Sequence, residues 1–216
     1  MSLTYHYHPL ASFCWKVSIA LYESGLAFDA QIVDLGDAAA RERFYALWPL
    51  GKMPVLIEDG EVVAETSIIL EHLAERHREA RWLLPKSPDL ARRVRFLDRI
   101  FDLYVQTPMQ NIVADRLRPA ESRDAFGVAG YRADLKKACD YLEREVVGDG
   151  WAMGADFTMA DCAAAPALFY ADKVQPLAPE HPKCLAYLER LKARPAFARV
   201  LEEAEPFFQY FPQDPG

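Results

Sequence analysis

The feature that most limits how this chain can fold is a change of rhythm near residue 80. Before it, apolar residues recur with a period of two and then of 3.6, several times over; after it they recur only at helical spacing. "LTYHY" (3–7) sets Leu3, Tyr5 and Tyr7 against Thr4 and His6, the alternation of a half-buried strand. "HPLASFCWKVSIALYESG" (8–25) predicts a turn and then a helix over 13–24, with Phe13, Val17, Ala20 and Leu21 on one face and Gly25 at its C-terminal stop. "FDAQIVD" (28–34) reads as a second strand, and "DAAARERFYALW" (37–48) as a helix that Pro49 ends. "PVLIEDGEVVAE" (54–65) is two short strands around Asp59-Gly60, a hairpin signal, and "TSIILEHLAERH" (66–77) is a helix with Ile69, Leu70 and Leu73 inward. The order over residues 1–78 is β-α-β-α-β-β-α.

A break comes at 79–89, where "EARWLLPKSPD" carries two prolines and loses the period. From 89 to 216 every signal is helical. A long helix spans 89–116 with Val94, Leu97, Phe101, Tyr104 and Val105 at its apolar positions, and Arg118-Pro119 closes it. Helices over 124–146, 158–173, 181–193 and 195–205 come next, the second of them small, apolar and so predicted to be buried, and the chain ends in an aromatic, Pro-rich tail. The expectation is an α/β domain over 1–78 followed by an all-α helical domain over 89–216. Half the residues are hydrophobic (51% of 216), enough for such cores without staples.

A net charge of −7 offers no basic face to nucleic acid or to an anionic membrane surface. The longest apolar runs fall short of a bilayer span, and "MSLTYHYH" lacks a signal-peptide pattern. Cys14, Cys139, Cys162 and Cys184 form no CxxC, so the expectation is reduced thiols in a cytoplasmic protein. His6 and His8 make an H-x-H without a third ligand, and His72 and His77, five apart, do not share a helix face, so no metal site is expected.

Three stretches can carry chemistry. In "GKMPVL" (51–56), Pro54 opens a strand after Met53; a cis bond there would leave the preceding N–H and C=O exposed at a sheet edge, able to pair with an extended peptide. In "ETSII" (65–69), Glu65 ends a strand while Thr66 and Ser67 open a helix, whose free N–H groups favour a carboxylate while Glu65 meets an ammonium. In "HPLASFCW", a hydroxyl and a thiol, Ser12 and Cys14, flank a helix N-terminus of the kind that lowers a thiol's pKa. Each has an ordinary explanation when taken alone: a trans proline, an N-cap, and a capping serine beside a small core residue.

Taken in order, the three stretches and the helical domain after them resemble the cytosolic glutathione S-transferase family. "FTMADCAAAPALFY" (157–170) adds the family's buried-helix capping motif, with Thr158 as N-cap and Asp161 three residues on. The resemblance implies a thioredoxin-like N-terminal domain, glutathione as co-substrate, a homodimer, and a thiolate that attacks a small hydrophobic electrophile. It also implies roles. Glutathione lies along Met53-Pro54, its γ-glutamyl end on Glu65 and Thr66, its glycyl carboxylate near Lys52. The family's serine hydroxyl falls at Ala11, which leaves Ser12, Cys14 and Tyr7 as candidates to act on the thiol. "CWKVSIALYESGL" is similar to the zeta, maleylacetoacetate isomerase-like class, although "ASFCW" stands where that class has "SSCSW". Other glutathione-dependent reactions (isomerisation, thiol–disulfide exchange, peroxide reduction, dehalogenation) and a non-catalytic glutathione binder stand as alternatives. The second substrate is expected between the domains, near Phe101, Tyr104, Phe169 and Phe208.

Overall fold

The computed structural model describes residues 2–146 and 148–214. Its first part is β1 (Leu3–Tyr7), α1 (Ser12–Glu23), β2 (Asp29–Ile32), α2 (Ala38–Leu47), β3 (Val55–Glu58), β4 (Glu61–Ala64) and α3 (Thr66–Arg76). The sheet order is β2-β1-β3-β4, with β1 parallel to β2 and the other neighbours antiparallel. Pleating divides the strands between two layers. Leu56 and Val63 face the main core with α1 and α3, while Val55 joins Val33 and Phe44 of α2 on the other face. The β3–β4 turn is two residues with positive φ, Asp59 at 47° and Gly60 at 90°, which matches the twist of a tight hairpin.

The helix foreseen with one apolar face is instead buried all round: every residue of α1 from Cys14 to Leu21 is buried, while Phe13 stays half-exposed. A helix sandwiched between a sheet and other helices has no solvent side. Trp15 sits in an aromatic box of Phe169, Tyr170, Phe197 and Phe208, with ring centroids 4.8–6.1 Å away. One apolar core runs from Leu3 to Ala204.

The predicted break holds a short 3-10 helix, Arg78–Leu83, whose Trp82 donates to Ser24 Oγ at 3.1 Å and packs on Phe157. The long helix foreseen over 89–116 is three joined pieces: α4 (Pro88–Ile100), a π-helical segment (Phe101–Gln106) and α5 (Thr107–Arg116). The extra residue of a π turn rotates the side chains around the helix axis, and Tyr104, placed by helical spacing in the apolar stripe, ends up 59% exposed. Next come α6 (Ala125–Glu145), the buried α7 (Met159–Val174), α8 (Pro182–Lys192), α9 (Pro195–Ala204) and a 3-10 turn, Glu205–Tyr210, in the aromatic tail. His72 and His77 do converge, contrary to their helical spacing, because His77 lies just past the end of α3: their Nε2 atoms stand 2.5 and 2.9 Å from the two oxygens of Glu58.

At the start of α7, Thr158 and Asp161 form a reciprocal capping box. Asp161 is wholly buried, yet its oxygens accept from the Ala152 and Thr158 amides and from the Tyr187 hydroxyl. Thr158→Ala removes one side of that box and is expected to lower stability by ~0.5–2 kcal/mol in denaturant unfolding.

Candidate functional site

Strand register brings the three separated stretches to one end of the sheet. His6 pairs with Val55, and Val55 with Ala64, so the end of β1, the start of β3 and the end of β4 lie side by side. The Met53-Pro54 bond is cis. β3 is an interior strand, so the backbone at Met53 is free at the open end of the sheet and not along a lateral edge, as the sequence suggests. Its N–H and C=O have no backbone partner among the described residues. The approach to this step turns at Gly51, where φ is +64°, a conformation that strains residues other than glycine, and a Cβ would also have to displace the tip of the Tyr45 ring. Lys52, next in line, is exposed and makes no ion pair among the described residues.

Glu65 is the second unusual backbone position. It is exposed, with φ 69° and ψ 120°, a conformation that costs a non-glycine residue about 1–3 kcal/mol and is found at ligand sites. It is also the N-cap of α3, and its side chain caps nothing. Ala11, the N-cap of α1, cannot cap either. By contrast, Asp37, Ser87, Asp124 and Thr158 cap α2, α4, α6 and α7. Two helices thus open at the same end of the sheet with first-turn N–H groups free of any side-chain cap, and Thr66 stands buried at the first position of one of them.

Beneath these helix starts lies a charge cluster. Lys16, fully buried in α1, places Nζ 2.6 Å from Asp98 and 2.8 Å from Asp102, and donates to Ser67 Oγ at 3.0 Å; Ser67 in turn donates to Asp98 at 2.6 Å. Burial alone would lower the Lys16 pKa, but the two carboxylates outweigh it and raise it. Burial also raises the Asp102 pKa, against the pull of Lys16. Motif reading misses all three of these charges. The signals were present: a lysine in a run that is apolar on every side, and aspartates four apart on one helix face.

The three thiol-acting candidates separate. Ser12 is not the N-cap but the first residue of α1. It is buried, and its oxygen accepts from Gln106 Nε2 and, at 3.4 Å, from Gln110 Nε2. Cys14 lies wholly inside the core with its thiol pushed up by burial to about 12, the reverse of what a nucleophile requires. Tyr7 stacks on Tyr5 and lines a cavity of about 410 Å³ with Tyr22, Phe28, Arg199 and Glu203, beside Gly25 and the C-terminal end of α1. Burial raises its pKa as well. Neither Cys14 nor Tyr7 therefore presents a reactive group at the start of α1. The loop leading there is held from both sides: Tyr170 Oη of α7 donates to Leu10 O at 2.9 Å, and Trp15 Nε1 of α1 to Pro9 O at 2.5 Å.

Of the aromatic residues considered for a second substrate, Phe101 is core, and Phe169 and Phe208 belong to the box around Trp15. Only Tyr104 lines open space, a cavity of about 690 Å³ between α4–α5 and α6 that also takes in Phe96, Leu103, Asn111 and Tyr131.

Comparison with known proteins agrees with this architecture. Residues 6–81 match the glutathione S-transferase N-terminal domain, and residues 120–190 the corresponding C-terminal domain. Glutathione S-transferase 3 of Zea mays is 29% identical over 89% of this chain and 90% of its own. A probable maleylacetoacetate isomerase of Caenorhabditis elegans is 27% identical, covering 91% of each chain. A glutathione S-transferase of Methylobacterium radiotolerans, solved in complex with glutathione sulfonate, superposes with a TM-score of 0.80 at 29% identity, over 93% of this chain and 94% of that one.

The charge cluster sets a stability prediction. Lys16→Met leaves Asp98 and Asp102 buried without their cation and should cost ~3–5 kcal/mol near neutral pH. The Asp102 pKa, already raised in the folded state, rises further in that variant. A carboxylate whose folded pKa lies above its unfolded value stabilises at low pH and loses that contribution as pH climbs. The deficit of Lys16→Met should therefore shrink as unfolding midpoints are measured from pH 8 down towards 5.

Proposed function

The chain belongs to the glutathione S-transferase family, and from that premise we propose that it binds glutathione across the open end of the sheet and activates its thiol for attack on a small hydrophobic electrophile. The cysteinyl part pairs with the free backbone of Met53, ahead of cis-Pro54. The γ-glutamyl carboxylate takes the first-turn amides and hydroxyl of Thr66, its ammonium faces Glu65, and Lys52 answers the glycyl carboxylate. The sulfur points at the N-terminus of α1, where the Ser12 hydroxyl donates to it. What carries this reading is the pair of uncapped helix starts at one end of the sheet, together with the positive φ of Glu65.

The energy needed is modest. A thiol with an ordinary pKa of about 8.5 lowered by two units requires about 2.7 kcal/mol of preference for the thiolate. One hydrogen bond to a charged sulfur is worth about 1.5–3 kcal/mol, and a helix N-terminus about 0.3–1 kcal/mol. Together they suffice, and no triad or metal enters. A second reading, glutathione-dependent isomerisation, is supported by the likeness to the worm protein and uses the same thiolate. Thiol–disulfide exchange through Cys14 is disfavoured by its burial.

A homodimer and cytoplasmic residence belong to the same proposal. Exposed Ile68 on α3 and Leu90 and Phe96 on α4 support the first, and four unpaired cysteines the second. Light scattering of the purified chain should give twice the monomer mass.

Two measurements test the glutathione site. In calorimetric titration, Glu65→Ala should weaken glutathione binding by ~1–3 kcal/mol, because the ammonium loses its partner; unchanged affinity would remove Glu65 from the site. In ultraviolet titration of the bound thiolate, Ser12→Ala should raise the thiol pKa by about one unit or more, one unit being about 1.36 kcal/mol. Cys14→Ala and Tyr7→Phe should leave it where it was.

A further inference from the structure

Gln106 ends the π-helical segment, in which the Thr107 amide bonds to Asp102 O, five residues back. It is only 2% exposed, and its Nε2 donates to Ser12 Oγ, 94 residues away in sequence. We propose that Gln106 is a positioning residue that turns the Ser12 hydroxyl toward the glutathione sulfur, an inference that rests on Ser12 being the thiolate donor.

Hydrogen-bond valences decide the direction of the Ser12 proton. A hydroxyl carries one O–H and two lone pairs. Gln106 Nε2 fills one lone pair and Gln110 Nε2, at 3.4 Å, approaches the other. The proton of Ser12 is then its only free valence, and it must find an acceptor outside this pair of amides. N–H donors bonded into an oxygen also polarise its O–H and make it a better donor. The orientation of the Gln106 amide is set by the same count. As it stands, Oε1 and one of the two Nε2 hydrogens lack a partner. Reversed, Oε1 would take the Ser12 proton and a second N–H would be orphaned in place of the carbonyl oxygen, and buried orphan N–H groups are the rarer case. The observed orientation frees the proton; the reversed one would consume it. The residue comes from the helical part of the chain, so a side chain across the domain interface directs a hydroxyl on α1. A π turn, which redirects side chains within a helix, is a feature often found at functional sites.

The test is ultraviolet titration of the thiolate in the glutathione complex for the parent, Ser12→Ala, Gln106→Met, Gln106→Glu and the double variant Ser12→Ala/Gln106→Met. Methionine keeps length and volume but loses the N–H. It should raise the bound thiol's pKa by ~0.5 unit or more. Glutamate, which accepts the Ser12 proton, should raise it further, and it carries the test should the methionine variant not fold. The double variant should match Ser12→Ala alone, because Gln106 acts only through that hydroxyl. A structural role would lower the melting temperature and leave the pKa of the folded complex in place. An unshifted pKa in both Gln106 variants overturns the inference, as does a double variant in which the two shifts add. A silent Ser12→Ala overturns the Ser12 reading itself and takes the Gln106 inference with it, an outcome read in a separate variant.

Discussion

Four elements of this structure meet at one buried ammonium. Lys16 of α1 is held by Asp98 of α4 and Asp102 of the π segment, and Ser67 of α3 links to both Lys16 and Asp98. A lysine with no exposure is tolerated only with such partners, because each ion removed from water costs several kcal/mol. Replacing a buried pair by apolar residues is often neutral, so the cluster's net contribution to stability is not its distinguishing property. What it does is fix the relative placement of α1, α3 and α4, since a shift of α1 or α4 would strand a charge and a shift of α3 would take the Ser67 hydroxyl from Lys16 and Asp98. The two helix starts that face the proposed ligand are fixed by that requirement.

The site built on this frame relies on backbone more than on side-chain chemistry. Free amides at two helix starts, a free backbone at Met53 and the positive φ of Glu65 are properties of main-chain path. Ala11 therefore leaves the first-turn amides of α1 uncapped, at the positive end of the helix dipole. The helical part of the chain also reaches the start of α1. Tyr170 grips Leu10 O, the aromatic box clamps Trp15, and the glutamines of the π and α5 segments reach Ser12. The loop before α1 and the Ser12 hydroxyl are therefore held in part by the helical part of the chain.

Much of this architecture is legible in local sequence. Asp59-Gly60 required a two-residue turn because few other pairs accept positive φ twice. Thr158 followed by Asp161 announced a helix start because the box is closed within four residues. The alternation of β1 and the start of α3 were similarly local. What went astray was the course of the helix backbone itself. Helical spacing put Tyr104 in the core, and a π turn moved it out. Helical spacing also parted His72 from His77, and the helix ended between them so that both reach Glu58.

The sequence by itself determined most of the elements, their order and the Asp59-Gly60 turn, because turns, caps and periodicity are set within a few residues and their energies are local. Only the tertiary structure decided which side chains share a site. Cys14 and Ser12 stand two residues apart on one helix, yet one is sealed in apolar core and the other meets two glutamine amides from α5 and the π segment. Burial and partner set a side chain's proton affinity and hydrogen bonding, and the partners of Ser12 come from more than ninety positions away, an arrival no local pattern records.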